Sequence, residues 1–463
     1  MRWQELCKLY LPVFSNDSLW RYSRLMNPAD IEQGWKLHIS ATILTANNVL
    51  ERVAPFLQAK KALFKIPVSL LELGKLNSGI CYGYSQIGKF ITVYPKTDKD
   101  ALYLARKLHQ LTNDLSAPLI PFDTQFCPGS SVYYRYGAFR YLEMGNSDGG
   151  KTLAIRDFEG NLIPDMRDKE DAVPAWVSNP FPKRKKNKTL MENPLRTTYK
   201  VFRALTQRGK GGVYQAIDIS SQPPQLCIIK EGRKEGEVDW NGCDGYWYVK
   251  REAGILSALQ TVGVPFVYSS FELENNFYLV TEYIEGESLD KLLIKKKRRL
   301  SIRQALEFSV QLSALIAKIH SAGWVWRDCK PANIIVTKNR SLRPVDFEGA
   351  GLINEPALTI SGTPGFLPPE WNENYRNQSS VPADLYALGA VLYYLFTGRF
   401  YSAENSKIVK SLRRNIPLKI QEIITKLLAV NPTERPDAQS VGRELETELR
   451  FINDCGSRMN KAV

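Results

Sequence analysis

The chain has 463 residues, 44% of them hydrophobic and 24% charged, which is ordinary globular composition in a length that exceeds one usual core. Its net charge of +14 suits a polyanionic partner, but nucleotides, phosphorylated substrates and acidic peptides qualify as well as nucleic acid, and no RNA- or DNA-binding signature accompanies it. Seven cysteines, at positions 7, 81, 127, 227, 243, 329 and 455, are odd in number and not closely paired, which argues against a disulfide framework or a zinc knuckle.

The amino terminus, Met1-Arg2-Trp3-Gln4-Glu5, has no apolar segment of signal-peptide kind, and the longest apolar stretch, around Leu388 to Phe396, is too short to span a bilayer. A cytoplasmic protein without a membrane partner is the expectation.

In chain order, the first informative stretch is Trp35-Lys36-Leu37-His38-Ile39-Ser40. Its alternation predicts a strand with Lys36 and His38 on one face and Trp35, Leu37 and Ile39 on the other. Three more basic residues recur in strand-like or turn contexts. Lys65 follows Ala62-Leu63-Phe64, Lys89 precedes Phe90-Ile91-Thr92-Val93-Tyr94, and Arg135 lies among the rings of Val132-Tyr133-Tyr134-Arg135-Tyr136. Taken singly, each has a plain structural account, such as stacking of Arg135 on tyrosines or Lys89 guarding a strand edge.

Together, the blocks Trp35 to Ala41, Phe64-Lys65, Gly88 to Pro95 and Tyr134 to Phe139 resemble the amino-terminal phosphoserine/phosphothreonine lyase region of class III and IV lanthipeptide synthetases. The resemblance implies a mixed-sheet domain over residues 1–178. It also implies Lys65 as the base that removes an α-proton, His38 as the acid, and Lys36, Lys89 and Arg135 as the residues around the departing phosphate. A lysine base must be neutral part of the time, and a crowd of like charges is one way to achieve that.

Asn179-Pro180-Phe181-Pro182 opens a linker over residues 179–197 that carries the basic run Lys183 to Lys188. A second basic run, Lys295 to Arg299, sits between helical patterns, and solvated charge is the default reading of both.

Beyond the linker, Arg208-Gly209-Lys210-Gly211-Gly212-Val213 lies between strand patterns, and Cys227-Ile228-Ile229-Lys230 is an apolar strand ending in a lysine. Further on come Lys250-Arg251-Glu252, Thr281-Glu282-Tyr283-Ile284, Trp326-Arg327-Asp328-Cys329-Lys330-Pro331-Ala332-Asn333 and Asp346-Phe347-Glu348. This order resembles a protein kinase over residues 198–453, with a short tail at 454–463, a β-rich small lobe and a helical large lobe. The resemblance places Gly209, Gly211, Gly212, Val213, Lys230, Glu252, Glu282 and Ile284 at the nucleotide. It makes Asp328 and Lys330 catalytic and gives Asn333 and Asp346 to magnesium, with ATP or another nucleoside triphosphate as donor. It also pairs Arg435 with Glu370 and makes the Asp384 helix an anchor of the large lobe.

Four positions depart from the common kinase pattern. Trp326 stands where histidine is usual, Glu348 replaces glycine after Asp346-Phe347, and Thr206 and Arg208 fill the first two glycine positions of the loop. Glutamate lacks glycine's backbone freedom, so a flipping Asp346 segment is not expected. Glu348 and Ile229 to Arg233 also match the synthetase kinases better than signalling kinases.

The expected fold is α+β throughout. The expected function is phosphorylation of serine or threonine in a precursor peptide, followed by elimination to a dehydroamino acid. With only Ile452 to Val463 after the kinase, the sequence leaves no room for the family's cyclase domain, so ring formation is expected to need a separate protein. A serine/threonine kinase with an amino-terminal sensor and a nucleotide-binding scaffold are the alternatives.

Overall fold

The protein's architecture comes from a computed structural model that describes residues 2–14, 19–145, 149–169, 172–182, 193–296, 299–356, 363–371, 380–402, 413 and 415–459. The basic linker run lies outside the described residues. The fold is α+β, and the chain divides into two compact units. The first comprises Met1–Gln225, Ile229–Val249 and Phe271–Tyr278; the second comprises Leu226–Ile228, Lys250–Ser270 and Leu279–Val463.

In the first unit, the alternating and apolar runs form strands β1 (Val13–Phe14), β2 (Trp20–Tyr22), β3 (Gln33–Ile39), β4 (Leu63–Pro67), β5 (Ile91–Tyr94), β6 (Thr124–Gln125) and β7 (Val132–Ala138). Helices α1 (Arg2–Tyr10), α2 (Ala46–Ala59), α3 (Leu70–Ser78) and α4 (Asp98–Thr112) intervene. The sheet order is β1-β2-β4-β5-β3-β7-β6. Its pairs are antiparallel, so the mixture is of helices with sheet rather than of strand directions.

Helix α2 buries Val49, Leu50, Val53, Ala54 and Leu57, and α4 buries Ala101, Leu104, Ala105 and Leu108, each a stripe at helical spacing. Those stripes join Trp35, Leu37 and Ile39 of β3 in one core, where each large side chain contributes roughly 1.5–3 kcal/mol by leaving water. Thr97 caps α4 by accepting the Asp100 N–H, and Ser69 caps α3 by accepting the Glu72 N–H.

Strand register decides the opposite face. Tyr22 pairs with Lys65, Lys65 with Thr92, Thr92 with His38 and His38 with Tyr133, a single row across five strands. Lys36 and Arg135 pair directly two residues along, and side chains at that spacing share a face. This polar face is itself covered: Lys36 and His38 are buried, so β3 is closed on both sides.

After a small antiparallel sheet of β8 (Glu143–Gly145), β9 (Lys151–Arg156) and β10 (Leu162–Pro164), a short helix, α5 (Pro194–Thr197), leads into the kinase region. Strands β11 (Tyr199–Gln207) and β12 (Gly211–Asp218) then form an antiparallel hairpin around the glycine-rich turn. With β13 (Gln225–Gly232), β14 (Val267–Leu273) and β15 (Asn276–Glu282) they make a five-stranded sheet in the order β11-β12-β13-β15-β14, the sheet-rich lobe.

The second unit is mainly helical. Its helix Ile302–Ser321 starts at a capping box of Ser301 and Gln304 and buries a stripe from Ala305 to Ile319. Among the described residues no helix is long and apolar enough to cross a membrane.

Candidate active sites

The face built by β2, β4, β3 and β7 gathers the basic residues singled out in the amino-terminal region. Five cationic side chains, Lys36, Lys65, Lys89, Arg135 and Arg167, act on one another's charge there, together with two carboxylates, Asp123 and Asp165. His38 Nδ1 lies 2.5 Å from Asp123 Oδ2, and Lys89 Nζ lies 3.2 Å from Asp123 Oδ1. Arg135 donates to Asp165 Oδ1 at 2.5 Å, and Arg167 Nε to Asp165 Oδ2 at 3.0 Å. Lys65 Nζ sits over the Trp20 ring, 3.9 Å from its centroid, an interaction that favours the ammonium form.

Burial dominates the electrostatics. It pushes the Lys36 ammonium well below its ordinary pKa, helped by Arg167 and Arg135. It lowers Lys89 as well, against the pull of Asp123. The His38 imidazole is held down to about 3 by burial, although Asp123 pulls the other way. Asp123 stays below the usual carboxylate range because Lys89 and then His38 outweigh its own burial, and Asp165 does so through Arg135 and Arg167. A neutral His38 that donates Nδ1–H to Asp123 keeps Nε2 as its second ring nitrogen for chemistry.

Asp123, Asp165, Arg167 and Trp20 were not singled out from sequence. Asp123 follows Phe122, which has a positive φ of 63°, in a turn, and Asp165 and Arg167 follow the end of β10. Neither position carries a periodic signal; counter-charges for a basic cluster were the only available clue.

In the second unit the catalytic-loop residues converge. Lys330 Nζ donates to Asp328 Oδ2 at 2.8 Å, and Asn333 Nδ2 donates to the same oxygen at 2.7 Å and to the Asp328 carbonyl at 3.1 Å. Burial raises the Asp328 pKa, opposed by Lys330. Those two donated bonds leave Asn333 Oδ1 as an acceptor. With the Asp346 carboxylate it offers the hard oxygen donors that magnesium takes, so the residues fit that ion.

Asp346 has a φ of 66°, and its carbonyl accepts Trp326 Nε1–H at 3.0 Å. Phe347 is fully buried, stacks on Trp326 with centroids 5.4 Å apart, and gives its N–H to Glu252 at 2.9 Å. Tryptophan in place of histidine therefore clamps the segment from the side where Glu348 has removed glycine's freedom. Asp384 accepts the N–H groups of Trp326 and Arg327, both at 2.7 Å, and Arg435 meets Glu370 through two bonds of 2.5 and 2.8 Å. Cys329 is buried.

In the first unit, Val213 and Lys230 lie on β12 and β13, Lys230 half-buried. The glycine-rich turn is engaged by the protein itself: Gly209 N–H donates to the Ser78 carbonyl at 3.0 Å and Gly211 N–H to that of Arg208 at 3.2 Å. At the end of β15, the Glu282 carboxylate is taken by Arg343 at 2.7 Å and by the Phe266 N–H at 3.2 Å. Ile284 follows the end of that strand.

Residues 199–444 match the protein kinase domain, and residues 13–193 match the RamC N-terminal domain. The chain belongs to the protein kinase family. Among its relatives is the protein named "Probable SapB synthase" of Streptomyces coelicolor, 28% identical over 387 residues that cover 80% of this chain and 40% of that protein. Serine/threonine-protein kinase PknA of Nostoc is 29% identical over 268 residues, 53% of this chain and 46% of that one. PknA of Mycobacterium tuberculosis is 27% identical over 256 residues, 51% and 58% of the respective chains. The chain thus spans under half the length of the first two relatives. A RamC-type domain followed directly by a kinase bears out the resemblance to class III and IV lanthipeptide synthetases.

Proposed function

We propose that the chain dehydrates serine or threonine in a precursor peptide in two steps, phosphorylation by the kinase region and elimination of the phosphate by the amino-terminal region. The observation that carries the second step is the single sheet face on which Lys36, His38, Lys65 and Arg135 stand in register, with Lys89 joined to it through Asp123.

In the first step Asp328 orients the substrate hydroxyl, Lys330 neutralises charge at the transferring group, and Lys230 grips the nucleotide phosphates. Asn333 and Asp346 hold magnesium, which supplies charge neutralisation when bound. With the Glu282 carboxylate committed to Arg343, that residue serves the nucleotide through its backbone, as does Ile284.

In the second step Lys65 Nζ takes the proton from Cα, the Cα–Cβ double bond forms, and the Cβ–O bond breaks with its electron pair on the phosphate oxygen. Lys36, Lys89, Arg135 and Arg167 hold that phosphate. A phosphate monoester brings negative charge against the burial that keeps His38 neutral, so the imidazole gains a proton at Nε2 and passes it to the leaving oxygen. Asp123 keeps the ring turned for that transfer.

The competing reading is a serine/threonine kinase whose amino-terminal domain binds a phosphorylated ligand without eliminating it; the Trp20 ring under Lys65, which favours the charged lysine, speaks for it. Mass spectrometry of a serine-containing precursor with ATP and magnesium separates the two. Wild type should lose one water per modified residue and Lys65→Ala should accumulate phosphopeptide. A wild type that stops at stable phosphopeptide would refute the dehydratase reading.

A further inference from the structure

The glycine-rich turn of a kinase is ordinarily read as a flap whose glycines let the backbone approach the nucleotide phosphates. Here the turn is held on two sides, within the first compact unit. It closes on itself through Arg208 N–H to the Gly211 carbonyl at 2.8 Å and the reciprocal bond at 3.2 Å.

On one side it meets the end of α3. The last carbonyls of a helix lack intrahelical donors, and Ser78 finds one in the Gly209 N–H at 3.0 Å. The approach is so close that a Cβ placed on Gly209 would collide with the Asn77 carbonyl oxygen. On the other side Arg233 N–H donates to the Lys210 carbonyl at 2.9 Å, and its guanidinium to the Arg208 carbonyl at 3.1 Å. That guanidinium also pairs with Glu231 at 3.0 Å and lies 5.4 Å from the centre of the Tyr84 ring, in the segment that follows α3.

Asn77 is fixed in turn. Its Nδ2 donates to the Ala41 carbonyl at 3.0 Å, and its Oδ1 accepts the Gly88 N–H at 3.2 Å, next to Lys89. Both Asn77 and Ser78 are buried. The loop's geometry therefore depends on a helix of the amino-terminal domain and on the segment that carries Lys89.

We infer that the C-terminal turn of α3, Asn77 and Ser78, is a positioning element for the kinase's phosphate loop, holding it in place for the nucleotide. The inference rests on the kinase half of the proposed function. A docked loop needs no ordering when ATP binds, whereas a loop cut from its support must be ordered at the expense of affinity.

The test is steady-state phosphorylation by the full chain, with KM for ATP and kcat measured separately. Gly209→Ala, which forces the turn off Asn77, should raise the KM at least tenfold. Asn77→Ala removes only a side chain that bonds Ala41 and Gly88, neither of them assigned to the nucleotide; it should raise the KM about fivefold with kcat changed by less than twofold. A merely structural loss would reduce the active fraction, and so kcat, without moving the KM. Unchanged KM values in both variants, or tighter ATP use, would overturn the inference. A wild type with no phosphorylation at all would instead overturn the proposed function.

Discussion

Asp123→Asn keeps the shape of a side chain while removing a charge that His38 and Lys89 share. Lys89 Nζ is 3.2 Å from the carboxylate, and their side chains are 5% and 1% exposed, so solvent does little to screen the pair. At an effective dielectric of about 20 the attraction is about 5 kcal/mol before desolvation, and stranding one partner of a buried pair costs roughly 3–5 kcal/mol. The thermal midpoint should therefore fall on the order of 10 °C. The chemical effect is separate. An asparagine amide can present N–H to His38 Nδ1, which keeps that nitrogen unprotonated and removes the carboxylate that stabilises the imidazolium, so the ring no longer gains its second proton when the ester arrives. Elimination should slow by about 10²- to 10⁴-fold, the range for a mispositioned acid or base. The assay is mass spectrometry of a ready-made phosphoserine peptide, well below the unfolding midpoint, with phosphorylation of a serine peptide as the internal control. Elimination within about threefold of wild type, in folded protein, would refute the reasoning.

Other consequences are open to measurement. His38, with its pKa held down to about 3 against an ordinary 6.5, must gain a proton on unfolding between those values. Stability then falls with falling pH at up to about 1.4 kcal/mol per unit, Asp123 and Asp165 adding to the loss at still lower pH; His38→Asn should flatten a denaturant series between pH 6.5 and 4, and an unchanged slope contradicts the assignment. Inorganic phosphate should protect the wild type against heat, by about 2.7 kcal/mol at a hundred times its Kd, and protect Lys36→Met far less; equal protection would place the anion elsewhere. Trp326→Phe should keep the stacking on Phe347 but lose the bond to the Asp346 carbonyl, at about 1 kcal/mol, while Trp326→Ala should cost roughly 3–5 kcal/mol and most of the phosphorylation rate. Calorimetry and a phosphorylation assay on both variants check this.

The kinase region was legible because its chemistry is written in short contiguous runs: Asp328, Lys330 and Asn333 fall within six residues, and the structure joins all three. The basic face was legible only in part. Alternation in Trp35 to Ile39 gave the face shared by Lys36 and His38, but which residues of other strands lie opposite is decided by register, a long-range property. That the polar face of β3 is covered could not be read from β3 alone, since alternation ordinarily marks a wet side. Asp123, Asp165 and Arg167 come from turns and strand ends, where no periodicity singles out a functional side chain. In the sequence, the kinase resemblance assigns Gly209, Gly211 and Gly212 to the nucleotide. At Gly209 the structure adds a different demand, room for the Asn77 carbonyl.

The most direct test of the two-step account uses a synthetic phosphoserine peptide with no nucleotide present, followed by mass spectrometry. Wild type and Asp328→Asn should both convert it to the dehydroalanine peptide and free phosphate, while Lys65→Ala returns it unchanged. If wild type also returns it unchanged, although it phosphorylates the unmodified peptide when given ATP, the elimination half of the account is wrong.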